Sequence, residues 1–275
     1  MPTYDTPQEI IKEITLMNNR FMNKALDGNI PATQRILRVI LKNDKIKVIQ
    51  VGVQKWLQNL YGHSAQLDIL AEDENGRQFN IEVQRSDEGA SFRRARFYSG
   101  ALDMHFLDSG KKYELLPESF VIFITESDVL GEGRPVYNIN RCISESGKAF
   151  DDGSHIVYVN AACKDDTPLG RLMQDLSCAE PEKMHYKELA ETVNYFKTTK
   201  EGALDMTDII ELYAENKARK AAKEAAEKAS REAAYQTSVE LAENMLADKM
   251  SVEAVARYSK LPIEEVRKLA EKQSA

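Results

Sequence analysis

The segment QLDILAEDENGRQFNIEVQ, residues 66–84, alternates apolar and polar side chains on both sides of an Asn-Gly pair. Alternation with a period of two indicates a β-hairpin, because successive side chains of a strand point to opposite faces. We therefore expect two strands, Gln66–Glu72 and Gln78–Gln84, joined by a short turn. A change of one residue in the pairing would move every side chain of one strand to the other face. The length of the turn thus decides which residues meet.

Two turns suit the Asn-Gly pair. A two-residue type I′ turn would set Asp68 opposite Val83 and mix apolar with polar positions on each face. A three-residue loop, Glu74-Asn75-Gly76, with its glycine in the left-handed conformation, would set Asp68 opposite Glu82 and keep the apolar residues together. We expect the longer loop, because the shorter one would expose three apolar side chains at roughly 1.5–3 kcal/mol for each large one.

In that register, the carboxylates of Asp68 and Glu82 are cross-strand neighbours with Cβ atoms ~5 Å apart. Gln84 lies two residues further along the same face. Two close carboxylates repel each other unless a positive charge lies between them, and hard oxygen ligands at this spacing suit Mg²⁺ or Mn²⁺. The solvent-facing polar side of an ordinary hairpin would show the same alternation. The pattern alone therefore leaves both interpretations open.

Composition narrows the class of protein. The chain has 275 residues, of which 43% are apolar, enough for one sizeable core and a smaller appendage. No stretch approaches the ~20 apolar residues needed to cross a bilayer, and the N-terminus lacks the pattern of a secretory signal, so we expect a cytoplasmic protein without membrane association. The three cysteines and four histidines show no spacing typical of a zinc site.

The net charge of −7 argues against a broadly basic surface for non-specific DNA binding. It does not exclude a nuclease, because a divalent cation and a local arginine cluster can neutralise the phosphates that the protein contacts.

Strand and helix patterns along the chain indicate a mixed α/β core. The first ~45 residues are typical of helices, and further helices are predicted from about 90 to 107 and at 182–197. Strands are predicted at 46–58, 119–125 and 155–161, in addition to the hairpin. Strands separated by helix-length segments favour a mixed sheet flanked by helices.

The composition changes after residue ~210, and we expect three parts: a domain at 1–200, a charged Ala-rich helix or linker at 201–236, and a small helical unit at 237–275. The Ala-rich helix suits either a solvated spacer or a homodimer contact through its stripe of alanines. The last part contains a leading helix at 238–247 and two short helices around Lys260, with the proportions of a helix-turn-helix. A protein-contact module and a DNA reader are equally compatible with its balanced charge.

Several strings in the first part resemble one nuclease family. They are LDILAED (67–73), NIEVQ (80–84) and RARFY (94–98), with further similarity at 14–26, 116–131 and 151–161. Taken together, they resemble the PD-(D/E)XK nuclease superfamily, and more closely its Rpn branch of recombination-promoting nucleases, also described as PD-(D/E)XK family transposases. The likeness covers about residues 10–200.

This resemblance implies a restriction-endonuclease-like fold and a hydrolase that cleaves DNA phosphodiester bonds with Mg²⁺ or Mn²⁺. It implies that Asp68, Glu82 and the backbone carbonyl of Val83 hold the metal. Gln84 stands where the superfamily usually has lysine. Glutamine can orient the attacking water but cannot carry charge, so the metal must contribute more of the activation.

Residues around this motif complete the expected site. Arg93, Arg94 and Arg96 follow the hairpin and are expected to contact DNA, and Tyr98 is expected either to stack on a base or to fill the core. Similar proteins often carry an acidic residue near Asn18-Asn19. Here we expect a helix N-cap instead, since asparagine caps helices well.

A second function stays open at this stage. The chain could be a DNA-binding or assembly protein that has kept the nuclease fold and lost cleavage. The acidic composition, Gln84 and Asn19 favour this alternative, whereas the intact pair of Asp68 and Glu82 argues against it.

Overall fold

The computed structural model describes residues 7–57, 64–84 and 90–274, and the chain divides into two compact units, residues 1–211 and 212–275. The strands are β1 (Val48–Leu57), β2 (Ala65–Asp73), β3 (Gln78–Gln84), β4 (Ser119–Thr125), β5 (Val136–Ile139) and β6 (Ser154–Asn160). The helices of the first unit are α1 (Pro7–Glu13), α2 (Asn19–Leu26), α3 (Ile30–Leu41), α4 (Phe92–Phe106), α5 (Pro168–Leu176), α6 (Lys187–Thr198) and α7 (Lys200–Asp205). They are followed by α8 (Thr207–Ala247), α9 (Val252–Ser259) and α10 (Ile263–Ser274).

The six strands form one mixed sheet in the order β1-β2-β3-β4-β6-β5. The first three strands are antiparallel neighbours, whereas β4 runs parallel to both β3 and β6, and β5 is antiparallel to β6. The central strand β4, SFVIFIT, is almost wholly buried, as expected of a strand covered on both faces. Helices flank the sheet, which confirms the expected mixed α/β class.

The hairpin of β2 and β3 has the predicted three-residue loop. Asp73 and Arg77 close it, with the Asp73 N–H donating to the Arg77 carbonyl at 3.2 Å and the Gly76 N–H donating to the Asp73 carbonyl at 2.9 Å. Gly76 has φ +77°, the left-handed conformation that glycine adopts at no steric cost. Pairing then runs from Glu72–Gln78 to Ile69–Ile81. The register expected from the apolar pattern is therefore confirmed.

The polar side of this hairpin is not solvent-facing. Leu70, which shares that side with Asn80 and Glu82, packs in a cluster with Tyr98 and Leu102 of α4. Asn80 and Glu82 have no solvent exposure at all. The interpretation of an ordinary hairpin with its polar face in water is thus wrong, and these polar side chains need partners inside the protein.

Some elements of the first unit differ from the sequence prediction. The structure adds β5 and α5, which were not predicted, because a strand of four residues and a nine-residue helix containing Gly170 give too short a periodic signal. The helix expected at 182–197 begins only at Lys187 and is preceded by a 3₁₀ turn, Pro181–Lys183.

The second unit contains α9, α10 and most of α8. Its apolar core includes Ala242, Val255, Leu261 and Val266. The two short helices around Lys260 are confirmed, and Lys260 ends α9 in the left-handed conformation. The separate leading helix at 238–247 is wrong: it belongs to the continuous 41-residue α8, whose sequence contains no glycine or proline to end it.

Within the described ranges, no helix combines the length and the apolar character needed to cross a membrane.

Candidate functional site

The candidate site lies where the ladder between β2 and β3 ends. The last paired residues are Ile69 and Ile81, and the next pair, Asp68 and Glu82, is joined differently. The Asp68 backbone N–H donates to the side-chain Oε1 of Glu82 at 3.1 Å. The Glu82 carboxylate is therefore held against the strand that carries Asp68. The structure brings together the two carboxylates that the sequence predicted.

The fully buried carboxylate of Glu82 accepts hydrogen bonds from both strands of the hairpin and from α4. Besides the Asp68 N–H, the Asn80 Nδ2 donates to Oε1 at 3.1 Å and the Arg94 Nη2 donates to Oε2 at 3.2 Å. Burial raises the pKa of Glu82 to about 8, with a second contribution from the negative charge of Asp68, although these donors act in the opposite direction. A further cation beside Glu82 would favour its ionised form.

Asp68 is half-buried, and its carboxylate is held by two amides of α2. The Asn19 Nδ2 donates to Oδ2 at 3.0 Å, and the Asn23 Nδ2 lies 3.5 Å from Oδ1. Burial also raises the pKa of Asp68 above its ordinary value, while hydrogen bonds and the charge of Arg94 lower it. Asn19 and Asn23 are four residues apart, so they share one face of the helix.

Three amide oxygens at this site are buried without a hydrogen-bond partner in the part of the chain that the structure describes. They belong to Asn19, Asn23 and Asn80, the residues whose nitrogens bond the two carboxylates. Such orphaned acceptors are rare in folded proteins and call for an ion, a water or a ligand. Carboxylate and amide oxygens are the donors that Mg²⁺ and Mn²⁺ prefer, so this donor set fits a hydrated hard cation.

The next residues of β3 after Glu82 are Val83, whose carbonyl is the other predicted metal ligand, and Gln84. The Gln84 carbonyl accepts from the Glu126 N–H beyond the end of β4. Because successive carbonyls of a strand point to opposite edges, the Val83 carbonyl is directed to the edge along which Asp68 lies. The Gln84 side chain is half-buried and, by the same alternation, shares the side of Glu82.

The four residues predicted to contact DNA separate into two pairs. Arg93 and Arg96 are exposed on α4. Arg94 is turned toward Glu82, and its Nε donates to the Tyr98 hydroxyl at 2.9 Å. Tyr98 is buried and stacks against Phe123, which agrees with the core-filling alternative for this residue. Arg94, whose side chain is 33% exposed, and the buried Tyr98 therefore contact the site, whereas Arg93 and Arg96 are directed to the solvent.

The role of the asparagines was only partly foreseen from the sequence. Asn18 is the N-cap of α2, as expected, and accepts from the Phe21 N–H at 3.1 Å. The cap prediction is wrong for Asn19, which bonds Asp68. Asn23 and Asn80 were missed, although each had a signal: Asn23 follows Asn19 by one helical turn, and Asn80 alternates with Glu82 on a buried strand.

In the described part of the chain, no group of three or more His, Cys, Asp and Glu side chains is placed to hold a metal ion. Among the described residues, the site thus offers two carboxylates, together with amide and peptide oxygens. This composition differs from that of a zinc site, which uses thiolate and imidazole ligands.

The family relationship agrees with this geometry. No curated protein and no solved structure shows significant similarity to the chain. The family model described as PD-(D/E)XK nuclease family transposase matches residues 25–252, which include Asp68, Glu82 and Arg94. The match also continues through α8, beyond the region in which the sequence motifs showed the likeness. By this match over most of its length, the chain belongs to the PD-(D/E)XK nuclease family transposases.

Proposed function

We propose that this protein is a Mg²⁺- or Mn²⁺-dependent DNA endonuclease, a hydrolase that cuts phosphodiester bonds within a strand, with a role in recombination or in mobile elements. Family membership supports nuclease chemistry in general. The observation that carries the metal dependence is the fully buried Glu82, bonded to the Asp68 N–H beside the Asp68 carboxylate. Two such carboxylates are costly to bury together unless cations compensate them.

Asp68, Glu82 and the Val83 carbonyl would hold the cation. When bound, the cation would supply activation of the attacking water and stabilisation of the charge on the scissile phosphate. Asn19 and Asn23 keep the Asp68 carboxylate in place, and Asn80 does the same for Glu82. These amides make the position of both carboxylates independent of the substrate.

Gln84 and Arg94 have different roles in the site. Gln84 orients the attacking water through a hydrogen bond, since its amide does not take up a proton near neutral pH. Arg94 supplies one positive charge to the buried carboxylates from the side of α4. The exposed Arg93 and Arg96 contact phosphates of the bound strand.

The test is cleavage of a supercoiled plasmid by the full chain with Mg²⁺ or Mn²⁺. A closed circle has no ends, so conversion to the relaxed or linear form reports cutting within a strand. We expect Asp68→Asn and Glu82→Gln each to lower the rate about a hundredfold or more, because each removes a charged ligand. Glu74→Gln is the matched control: Glu74 is an exposed carboxylate of the same hairpin, paired with Lys47, and its loss should leave the rate unchanged.

Cleavage that survives both site substitutions, or that proceeds in EDTA, would contradict the proposal. DNA binding by the wild-type chain without cleavage under any divalent cation would favour the alternative of a nuclease fold that serves only in binding or assembly.

A further inference from the structure

Trp56 is an exposed aromatic residue close to the candidate site. It is the chain's one tryptophan, and 60% of its surface is exposed on β1. Its pairing partner on β2 is Gln66, two residues before Asp68. From strand spacing and rise, the Cα atoms of Trp56 and Asp68 are ~8 Å apart, which about two stacked nucleotides at 3.4 Å each would span.

The exposed side chains that the structure describes around Trp56 are polar. They belong to Gln54 and Lys55 on β1, to Ser64 just before β2 and to Gln66 on β2. Protein interfaces place their aromatic residues within an apolar, charge-depleted centre. An exposed aromatic ring among polar side chains is typical of a surface on which a base of a nucleic-acid strand stacks.

The edge on which Trp56 lies is poorly suited to pairing with a second copy of the chain. β1 is an edge strand, but Gln54 has φ +50° and the register with β2 shifts between Val48 and Gln50. Irregular backbone of this kind blunts an edge strand against further strand addition. A second copy is therefore the less favoured occupant of this surface.

An exposed cation near Asp68 suits the phosphates of such a strand. It is Arg20, the neighbour of Asn19, which bonds Asp68. Arg20 forms no ion pair with a residue that the structure describes. Lys55 is also exposed, but the alternation of β1 directs it to the face opposite Trp56. Helix α2, which carries Arg20, packs against β1 and β2. Arg20 and Trp56 thus offer complementary groups for the phosphates and the bases of one strand.

We propose that Trp56 stacks on an unpaired base of the DNA strand whose phosphodiester lies at Asp68 and Glu82. The preferred substrate is then single-stranded DNA, or duplex DNA with unpaired bases next to the cut. The placement of the cut rests on the proposed function, whereas the stacking itself is a binding property that needs no cleavage.

The tryptophan fluorescence of the chain reports the environment of Trp56, since no other tryptophan contributes to it. The full chain in EDTA, which prevents metal-dependent cutting, is titrated with a thymidine oligonucleotide of about 12 nucleotides, within the usual site size of such surfaces. We expect saturable quenching of tryptophan fluorescence by the single strand and little quenching by a blunt duplex of the same length.

Binding of the same labelled oligonucleotide, followed by fluorescence anisotropy, separates stacking from general attraction. We expect Trp56→Ala to weaken binding about tenfold and Trp56→Phe to stay within about threefold, because phenylalanine keeps an aromatic face. The matched control is Tyr113→Ala, which removes an aromatic residue that is 79% exposed in the 3₁₀ turn before β4 and should leave the affinity unchanged.

The outcomes distinguish this inference from the proposed function. Metal-dependent cleavage together with unchanged Trp56 fluorescence and unchanged binding by Trp56→Ala would overturn the stacking and leave the nuclease intact. Quenching without cleavage of any DNA would support the stacking and contradict the nuclease. A fluorescence change with protein concentration alone, accompanied by dimers in gel filtration, would assign Trp56 to a contact between copies and overturn the inference.

Discussion

The guanidinium of Arg94 lies 3.2 Å from Oε2 of Glu82, a carboxylate with no solvent exposure. The same guanidinium lies over the ring of Tyr98, 4.9 Å from its centroid, and 5.9 Å from that of Phe123. One residue of α4 thus brings a positive charge to a carboxylate on β3. This relationship makes α4 part of the candidate site as well as a cover for the sheet.

Arg94→Met should destabilise the metal-free protein by about 2 kcal/mol, because it removes a hydrogen-bond donor from the buried carboxyl group of Glu82. The measurement is urea unfolding in EDTA. Arg96→Met is the matched control on the same helix: Arg96 is exposed, so the change in the free energy of unfolding should stay within about 0.5 kcal/mol. Equal effects of the two substitutions would show that the contact with Glu82 contributes nothing to stability.

The stability of the metal-free protein should decrease as the pH rises from about 5 to above 8. The pKa of Glu82 is raised from 4.5 to about 8 in the folded state, so the folded state keeps a proton that the unfolded state releases. The resulting stabilisation is complete below the unfolded pKa and is lost as the pH passes through about 8.

Glu82→Gln isolates this contribution, because glutamine stays neutral over the whole range. Its free energy of unfolding, measured in urea with EDTA, should depend less steeply on pH between about 5 and 8 than that of the wild type. An identical pH dependence of the two proteins would show that Glu82 does not titrate in this window.

Gly76→Ala should destabilise the protein by about 1 kcal/mol, since φ +77° is unfavourable for an L side chain. Gly52→Ala is the control within the same sheet: its φ lies outside the left-handed region and an added Cβ meets nothing within 4 Å. Thermal unfolding of both variants compares them directly. An unaffected Gly76→Ala variant would mean that the hairpin loop accepts another conformation and does not determine the register.

The hairpin could be predicted from the sequence because its information is local. Alternation defines two faces, and the cost of exposing apolar side chains selects one register, so Asp68 and Glu82 were paired correctly. That Glu82 is buried could not be deduced in this way. It depends on α4, which places Tyr98 and Leu102 over the polar side of the hairpin from elsewhere in the chain.

The partners of the carboxylates are tertiary contacts and were less predictable. Arg94 is 12 residues and Asn19 is 49 residues distant in sequence from the carboxylate that it contacts. The i, i+4 spacing of Asn19 and Asn23 shows that they share a helix face, but not what that face meets. The separate leading helix expected at 238–247 was wrong for a related reason, because a change of composition along a chain does not by itself end a helix.

Calorimetric titration of Mn²⁺ into the full chain tests the central claim most directly, because it measures the cation site without DNA or turnover. We predict one binding event in the wild type, and a loss of affinity of tenfold or more in both Asp68→Asn and Glu82→Gln, with Glu74→Gln unchanged. An Mn²⁺ affinity that is the same in the wild type and in both site variants would contradict the assignment of Asp68 and Glu82 as joint ligands.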